Sequence, residues 1–274
     1  MSVSFPLVQL VLTAAVRDRL VMTFLFMLVL ATSMATFLGS SAVTEQDQFS
    51  LVYAAGSLRF LGVMCLVLFI SFYIRRGFEH KEVEFLLSRP ISRLNFILSH
   101  SLAFAILAIG IALITSIIIL LSATPDLYGW SIWSLSFIIE CILISMIAMF
   151  FAMVLSSAAG AALACFGFYV LARMMGVILG ISNLPTSDIV DSFLGTIVEI
   201  ISVFIPRFDL LAQTSWLVYG QDVLQHFDVD RFASGFTASI VKSITVPIFV
   251  LLQGIIFGIF ITICTAFDFI RKQF

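Results

Sequence analysis

An all-α polytopic membrane protein is the fold class that the sequence predicts, and three observations predict it. Of the 274 residues, 61% are hydrophobic and only 11% charged, with a mean hydropathy of +1.17. A water-soluble core of this length cannot hide so much apolar surface, so most of the chain is expected to have lipid as its solvent. Six apolar runs come close to or exceed the about 20 residues that a helix needs to cross the hydrocarbon layer. They are Leu20–Leu38, Leu58–Ile74, Ile97–Leu121, Ile132–Leu155, Ala158–Ile181 and Ile244–Phe267, together one transmembrane domain over residues 1–274. The third observation is that the basic residues collect beyond alternate run ends, as they do in polytopic proteins.

Ahead of the first run, Leu7, Val8, Val11, Leu12 and Ala15 fall on roughly one face of the stretch Leu7–Arg19, which ends in Arg17-Asp18-Arg19. That pattern predicts an interfacial helix. The first sixteen residues hold no Lys or Arg, so the basic region of a cleavable signal peptide is missing and the segment is expected to be retained.

The second and third runs are separated by Arg75–Asn95, a segment that mixes basic with acidic residues. Glu79, Glu82 and Glu84 with Val83, Phe85, Leu86 and Leu87 suggest a short surface helix. Pro90 disfavours helical geometry at Arg89, ends that helix and can open the next. A kinked helix pair at the membrane face results, able to dock on a soluble partner and pass its motion to the spans.

Only Ser156 and Ser157 separate the fourth run from the fifth. These two runs carry Glu140 and Arg173, each eight residues inward from the outer run end, or about 12 Å at 1.5 Å per residue. Charges at membrane depth carry a functional hypothesis by default. The packing reading is a buried ion pair fixing adjacent helices; the sharper reading puts the pair beside a substrate path.

Between the fifth and sixth runs, residues 189–205 are apolar except for Asp191, Ser192, Thr196, Glu199 and Ser202, and Pro206 closes them. Two carboxylates and that proline predict a re-entrant or interfacial helix, since a seventh span would strand Arg271 and Lys272 on the outer side. Pro247 is expected to kink the last span. The pairs Gly176/Gly180 and Gly254/Gly258 have the spacing that lets helix backbones approach closely, and are read as packing positions, including a subunit interface.

Orientation follows from Lys and Arg near the run ends. With the N-terminus inside, the inner side holds Arg17, Arg19, Arg75, Arg76, Lys81, Arg89, Arg93, Arg271 and Lys272. The outer side holds Arg59, Arg207, Arg231 and Lys242. Nine against four places both termini in the cytoplasm of a bacterial inner membrane.

Composition also excludes. A formal net charge of -2 gives no nucleic-acid footprint. Cys65, Cys141, Cys165 and Cys264 lie far apart in apolar runs, and His80, His100 and His226 are scattered, so neither a metal site nor a cofactor is implied. The methionines are read as packing rather than soft-metal ligands. No run contains a nucleophile with a base or a carboxylate cluster at common depth, so an intramembrane enzyme is not expected.

Residues Phe85-Leu86-Leu87-Ser88-Arg89-Pro90-Ile91-Ser92-Arg93 resemble the segment after the second span in type-2 permeases of ATP-binding cassette exporters. There, acidic residues precede Gly-Thr, a Leu pair and Pro-Ile-Ser-Arg. Lys81-Glu82 stands where that family carries Gly-Thr, and Ser99-His100 where it carries Gly-Lys. Pro206-Arg207-Phe208-Asp209 with Val218-Tyr219-Gly220, and the tail Phe267–Phe274, are weaker similarities to the same family.

The resemblance implies a permease subunit, not itself an enzyme, working with a cytoplasmic ATPase dimer and a second permease, identical or related. Glu79, Glu82, Arg89 and Arg93 would face or flank the ATPase, with Pro90 setting the angle between the short helices. ATP would bind the partner, since this chain has no Gly-rich phosphate loop. The competing expectation is an ion- or proton-coupled secondary transporter or channel, which would cluster ionisable residues at midplane or interrupt helices in matching halves. A structural scaffold would leave the acidic, proline-kinked segment unexplained.

Overall fold

The fold is known from a computed structural model, which describes residues 4–40, 46–88, 92–122, 125–182, 189–220 and 246–271. Among these residues the secondary structure is helical throughout: α1 (Phe5–Arg17), α2 (Arg19–Ser40), α3 (Gln46–Glu79), α4 (Glu82–Leu87), α5 (Arg93–Ser122), α6 (Leu127–Val154), α7 (Ala158–Arg173), α8 (Met175–Ser182), α9 (Ile189–Phe204), α10 (Phe208–Gln213), a 3-10 helix (Thr214–Tyr219) and α11 (Val246–Arg271). Among the described residues, five helices are long and apolar enough to cross a membrane. Taken as one bent span, α7 with α8 makes six.

Each element follows from local sequence. α1 starts at a proline in its first turn and stops where Asp18 turns extended, φ -74° and ψ 129°. Its expected apolar face, Leu7, Val8, Val11 and Ala15, is buried. That face packs on α5, with the Ser4 amide donating to Ser99 Oγ at 2.9 Å. Two capped turns join α6 to its neighbours: Asp126 accepts from the Gly129 amide at 2.8 Å, and Ser157 opens α7 by accepting from Gly160.

Three of the expected elements differ. The second span begins at Gln46 rather than Leu58 and runs for 34 residues, about 50 Å at 1.5 Å per residue. Hydropathy alone had clipped it, because Gln46, Asp47, Gln48 and Ser50 dilute its first turns. The fifth span bends by 47° between α7 and α8. At the break the Met174 amide bonds both the Val170 and Leu171 carbonyls, at 2.9 and 3.2 Å, a tightened 3-10-like turn that redirects the axis. Pro247 does not kink the last span but sits in the first turn of α11, where its missing N–H costs no hydrogen bond.

α3 and α6 form the middle of the bundle, each burying 61% of its apolar window, whereas α2 buries 17%. The two central helices touch closely at Gly62, whose Cβ position lies 2.7 Å from the Phe137 ring. α11 rides on α6 through Gly254 and Gly258, where an added Cβ would meet Leu143 and Met146 at 3.2 Å. This pair therefore serves packing within the chain. Gly176 is buried, while Gly180 has nothing within 4 Å of a built Cβ.

One end of the bundle gathers α1, the α3–α4–α5 junction and the end of α11. There Phe96 stacks on Phe269 with centroids 5.3 Å apart, and Arg93 donates to the Ile270 carbonyl at 2.8 Å. α10 and the 3-10 helix close the opposite end. The Asp126 amide bonds the Val218 carbonyl at 3.0 Å, and a Cβ on Gly129 would lie 1.8 Å from the Leu217 carbonyl oxygen. Only glycine allows that approach.

α9 has 16 residues, too few for a span. Phe193, Ile197, Ile200, Ile201 and Phe204 form an apolar face turned away from the protein. Its C-terminus is held by Gln253 of α11, whose amide donates to the Ser202, Val203 and Ile205 carbonyls at 2.8, 2.8 and 2.7 Å. The same side chain accepts from the Arg207 amide at 3.2 Å. A spanning helix thus supplies the C-cap of a shorter one.

Candidate functional site

Two groups of polar residues stand out from the apolar bundle, one inside it and one at the end that holds α1 and α4. The inner group is built on α3, α6 and α7. Glu140 lies thirteen residues after Leu127, near the middle of the 28-residue α6, and is fully buried. Its Oε1 accepts from Tyr169 at 2.8 Å and from Arg173 at 3.3 Å. The Arg173 guanidinium also donates to the Tyr169 hydroxyl at 2.6 Å.

Sequence reading paired Glu140 with Arg173 but assigned Arg59 to the outer-side charges. In the structure Arg59 is 0% exposed and its Nη1 lies 3.3 Å from Glu140 Oε2. The cluster is therefore Arg59–Glu140–Arg173, with one carboxylate between two guanidiniums. Arg59 is embedded because α3 starts twelve residues earlier than its hydropathy suggested. A warning signal was present: an arginine between Leu51–Ala55 and Phe60–Ile74 interrupts what is otherwise an apolar stretch.

Burying Arg59 demands that its donors be used. It donates to the Leu211 carbonyl, to the Trp133 carbonyl at 3.2 Å, to Ser136 Oγ at 2.6 Å and to Thr214 Oγ1 at 3.1 Å. Trp133 and Phe137 flank it, with ring centroids 5.4 and 5.5 Å from Cζ. One guanidinium thereby ties α3 to α6, α10 and the 3-10 helix. Arg173, the last residue of α7, sits at the 47° break and keeps 30% of its side chain exposed. The cluster is sealed at Arg59 and open at Arg173. A second buried pair, Arg207 with Asp209, is bidentate at 2.8 and 2.7 Å and braces the start of α10.

The second group lies where α3 gives way to α4. Lys81 adopts φ 57° and ψ 18°, a left-handed conformation that lets the chain reverse from one helix into the next. α4 then presents Val83 inward, 5% exposed, where a Cβ added at Gly77 would lie 3.6 Å from its side chain. Glu79, Glu82 and Glu84 are exposed, as is Phe85 at 62%. Arg93 opens α5 and turns its guanidinium onto the Phe269 and Ile270 carbonyls near the end of α11. Arg89 and Pro90 lie outside the described residues.

Among the expected site residues, Glu140 and Arg173 come together, while Glu79 at the end of α3 and Glu82 at the start of α4 are both exposed. No protein-family model matches the chain, and no curated protein matches it either.

Proposed function

We propose that this chain is the membrane-spanning permease subunit of an ATP-driven exporter, working with a separate cytoplasmic ATPase. The observation that carries the reading is α4: a six-residue helix anchored by the buried Val83 and the half-buried Leu86, with an exposed edge of Glu82, Glu84 and Phe85. It joins two helices that both run the length of the bundle. A short packed element at that position transmits a push from a soluble partner into α3 and α5, where a loose loop would absorb it.

The left-handed Lys81 adds support. It stands where the resembled permeases carry glycine, the residue that adopts positive φ without strain. Six spans, with α1 and the end of α11 at one end of the bundle, suit the same class, and that end is taken as cytoplasmic by the basic residues gathered there. α9, with its apolar face outward and its C-terminus capped by Gln253, is read as an interfacial or re-entrant helix on the outer side.

In this reading, nucleotide-driven closure of two ATPases displaces α4, and the energy comes from their different affinity for nucleotide in the two conformations. α3 carries the displacement to Arg59, and the Arg59–Glu140–Arg173 cluster passes it to the α7–α8 break. A proton-coupled secondary transporter fits less well. The inner cluster holds a single carboxylate, Glu140, between Arg59 and Arg173, where such a transporter would gather several ionisable residues at midplane. Co-purification of a cassette ATPase through a tag on this subunit tests the proposal.

A further inference from the structure

At the α4 end of the bundle a cavity of about 590 Å³ opens between the end of α1, the start of α2 and the α3–α4 turn, lined by Arg17, Asp18, Arg19, Arg76 and Glu82. Three guanidiniums face two carboxylates there. One of those carboxylates, Asp18, is already 4.0 Å from Arg76, so the cavity retains a positive excess. It is roomy and half polar, unlike the apolar groove that Ile139, Ile142 and Met146 of α6 form with Leu251, Ile255 and Ile259 of α11.

What lies below it decides the ligand class. α2 descends directly from Arg19 and presents Met22, Phe26, Val29 and Leu30 outward, 49–63% exposed. These positions recur at helical spacing and form one stripe beneath the cavity. A soluble anion has no use for the stripe, and a purely apolar occupant has none for the guanidiniums. We infer that the cavity holds the phosphate headgroup of an anionic phospholipid, with the acyl chains of that lipid lying along the exposed stripe of α2. The inference rests on the chain lying in a membrane and is independent of any ATPase partner.

Native mass spectrometry of the full chain, released from nanodiscs of equimolar phosphatidylglycerol and phosphatidylcholine, reads it. The wild type is expected to retain phosphatidylglycerol over phosphatidylcholine. Arg19→Gln and Arg76→Gln should each cut that preference about five-fold, the weight of one cation near an anionic surface. Asp18→Asn with Glu82→Gln should raise it, an outcome that misfolding cannot imitate. Arg271→Gln, at the end of α11, serves as a control and should leave the preference unchanged. Equal retention of the two lipids by wild type, or no rise in the carboxylate variant, would overturn the inference. Displacement of the lipid by millimolar inorganic phosphate would also overturn it, by showing a free-anion site.

Discussion

Arg59 on α3 and Glu140 on α6 meet at 3.3 Å with neither side chain exposed at all. Removing Glu140 leaves Arg59 as an uncompensated buried charge and removing Arg59 leaves Glu140 with the partly exposed Arg173 alone; breaking a buried pair costs about 3–5 kcal/mol, whereas replacing both members by apolar residues costs far less. Glu140→Met and Arg59→Met are therefore each expected to lower the unfolding temperature in detergent sharply. The double variant Arg59→Met/Glu140→Met should be more stable than the sum of the two losses implies. Strict additivity in that cycle would mean the pair is not coupled.

Arg173→Gln should be milder than Arg59→Met in the same assay, because Arg173 keeps 30% of its side chain exposed and water screens what it loses. Its effect is expected on transport instead. If the α7–α8 break moves during the cycle, a reporter placed at Met174, 49% exposed, should change labelling rate with nucleotide state in the wild type and lose that change in Arg173→Gln.

The buried cluster shows what the sequence made legible. Glu140 and Arg173 were visible as charges inside apolar runs, and their pairing followed from similar depth on consecutive helices. Arg59 was not, since hydropathy placed the start of its helix at Leu58 and turned a core residue into one at the outer end of a span. Ser136, Thr214 and Tyr169 carry no signal of their own: each is an ordinary residue until a guanidinium or carboxylate is folded against it from a distant part of the chain. The bundle itself was readable because apolar length is a local property. The docking of α10 and the 3-10 helix on α6 was not, because it depends on Gly129 meeting Leu217 across 88 positions.

That approach gives its own prediction. Gly129→Ala would set a methyl 1.8 Å from a backbone carbonyl oxygen, which no side-chain rotation relieves. The variant should lose about 1–3 kcal/mol, the usual range for overpacking. Limited proteolysis should then cut more readily around Thr214–Tyr219. Gly180→Ala, with open space at its Cβ position, should not destabilise the chain by this route.

Lys81→Gly is expected to act in the opposite direction. A lysine at φ 57° pays a left-handed penalty of about 1 kcal/mol that glycine escapes, although glycine also gains freedom in the unfolded chain. The net change in unfolding temperature should be small or upward, while Lys81→Val, β-branched at positive φ, should be plainly destabilising. A stabilised Lys81→Val would contradict the observed turn.

Gln253→Leu preserves side-chain bulk but strips three carbonyls of α9 and its following loop of their donor. A loss of about 1–3 kcal/mol is expected from the orphaned groups. A cysteine at Phe204 should react faster in the variant than in wild type if Gln253 fixes that end of α9.

The most direct measurement is co-expression with a cassette ATPase, purification through a tag on this chain, and assay of retained ATPase and its turnover for wild type and Glu82→Lys/Glu84→Lys. Both carboxylates are exposed on α4, so the substitutions should leave the unfolding temperature nearly unchanged. The exporter reading predicts that the ATPase stays with wild type and is lost, or runs uncoupled from this subunit, in the variant. If no ATPase is retained even by wild type, the exporter reading is contradicted and an ion-coupled transporter becomes the better description of this bundle.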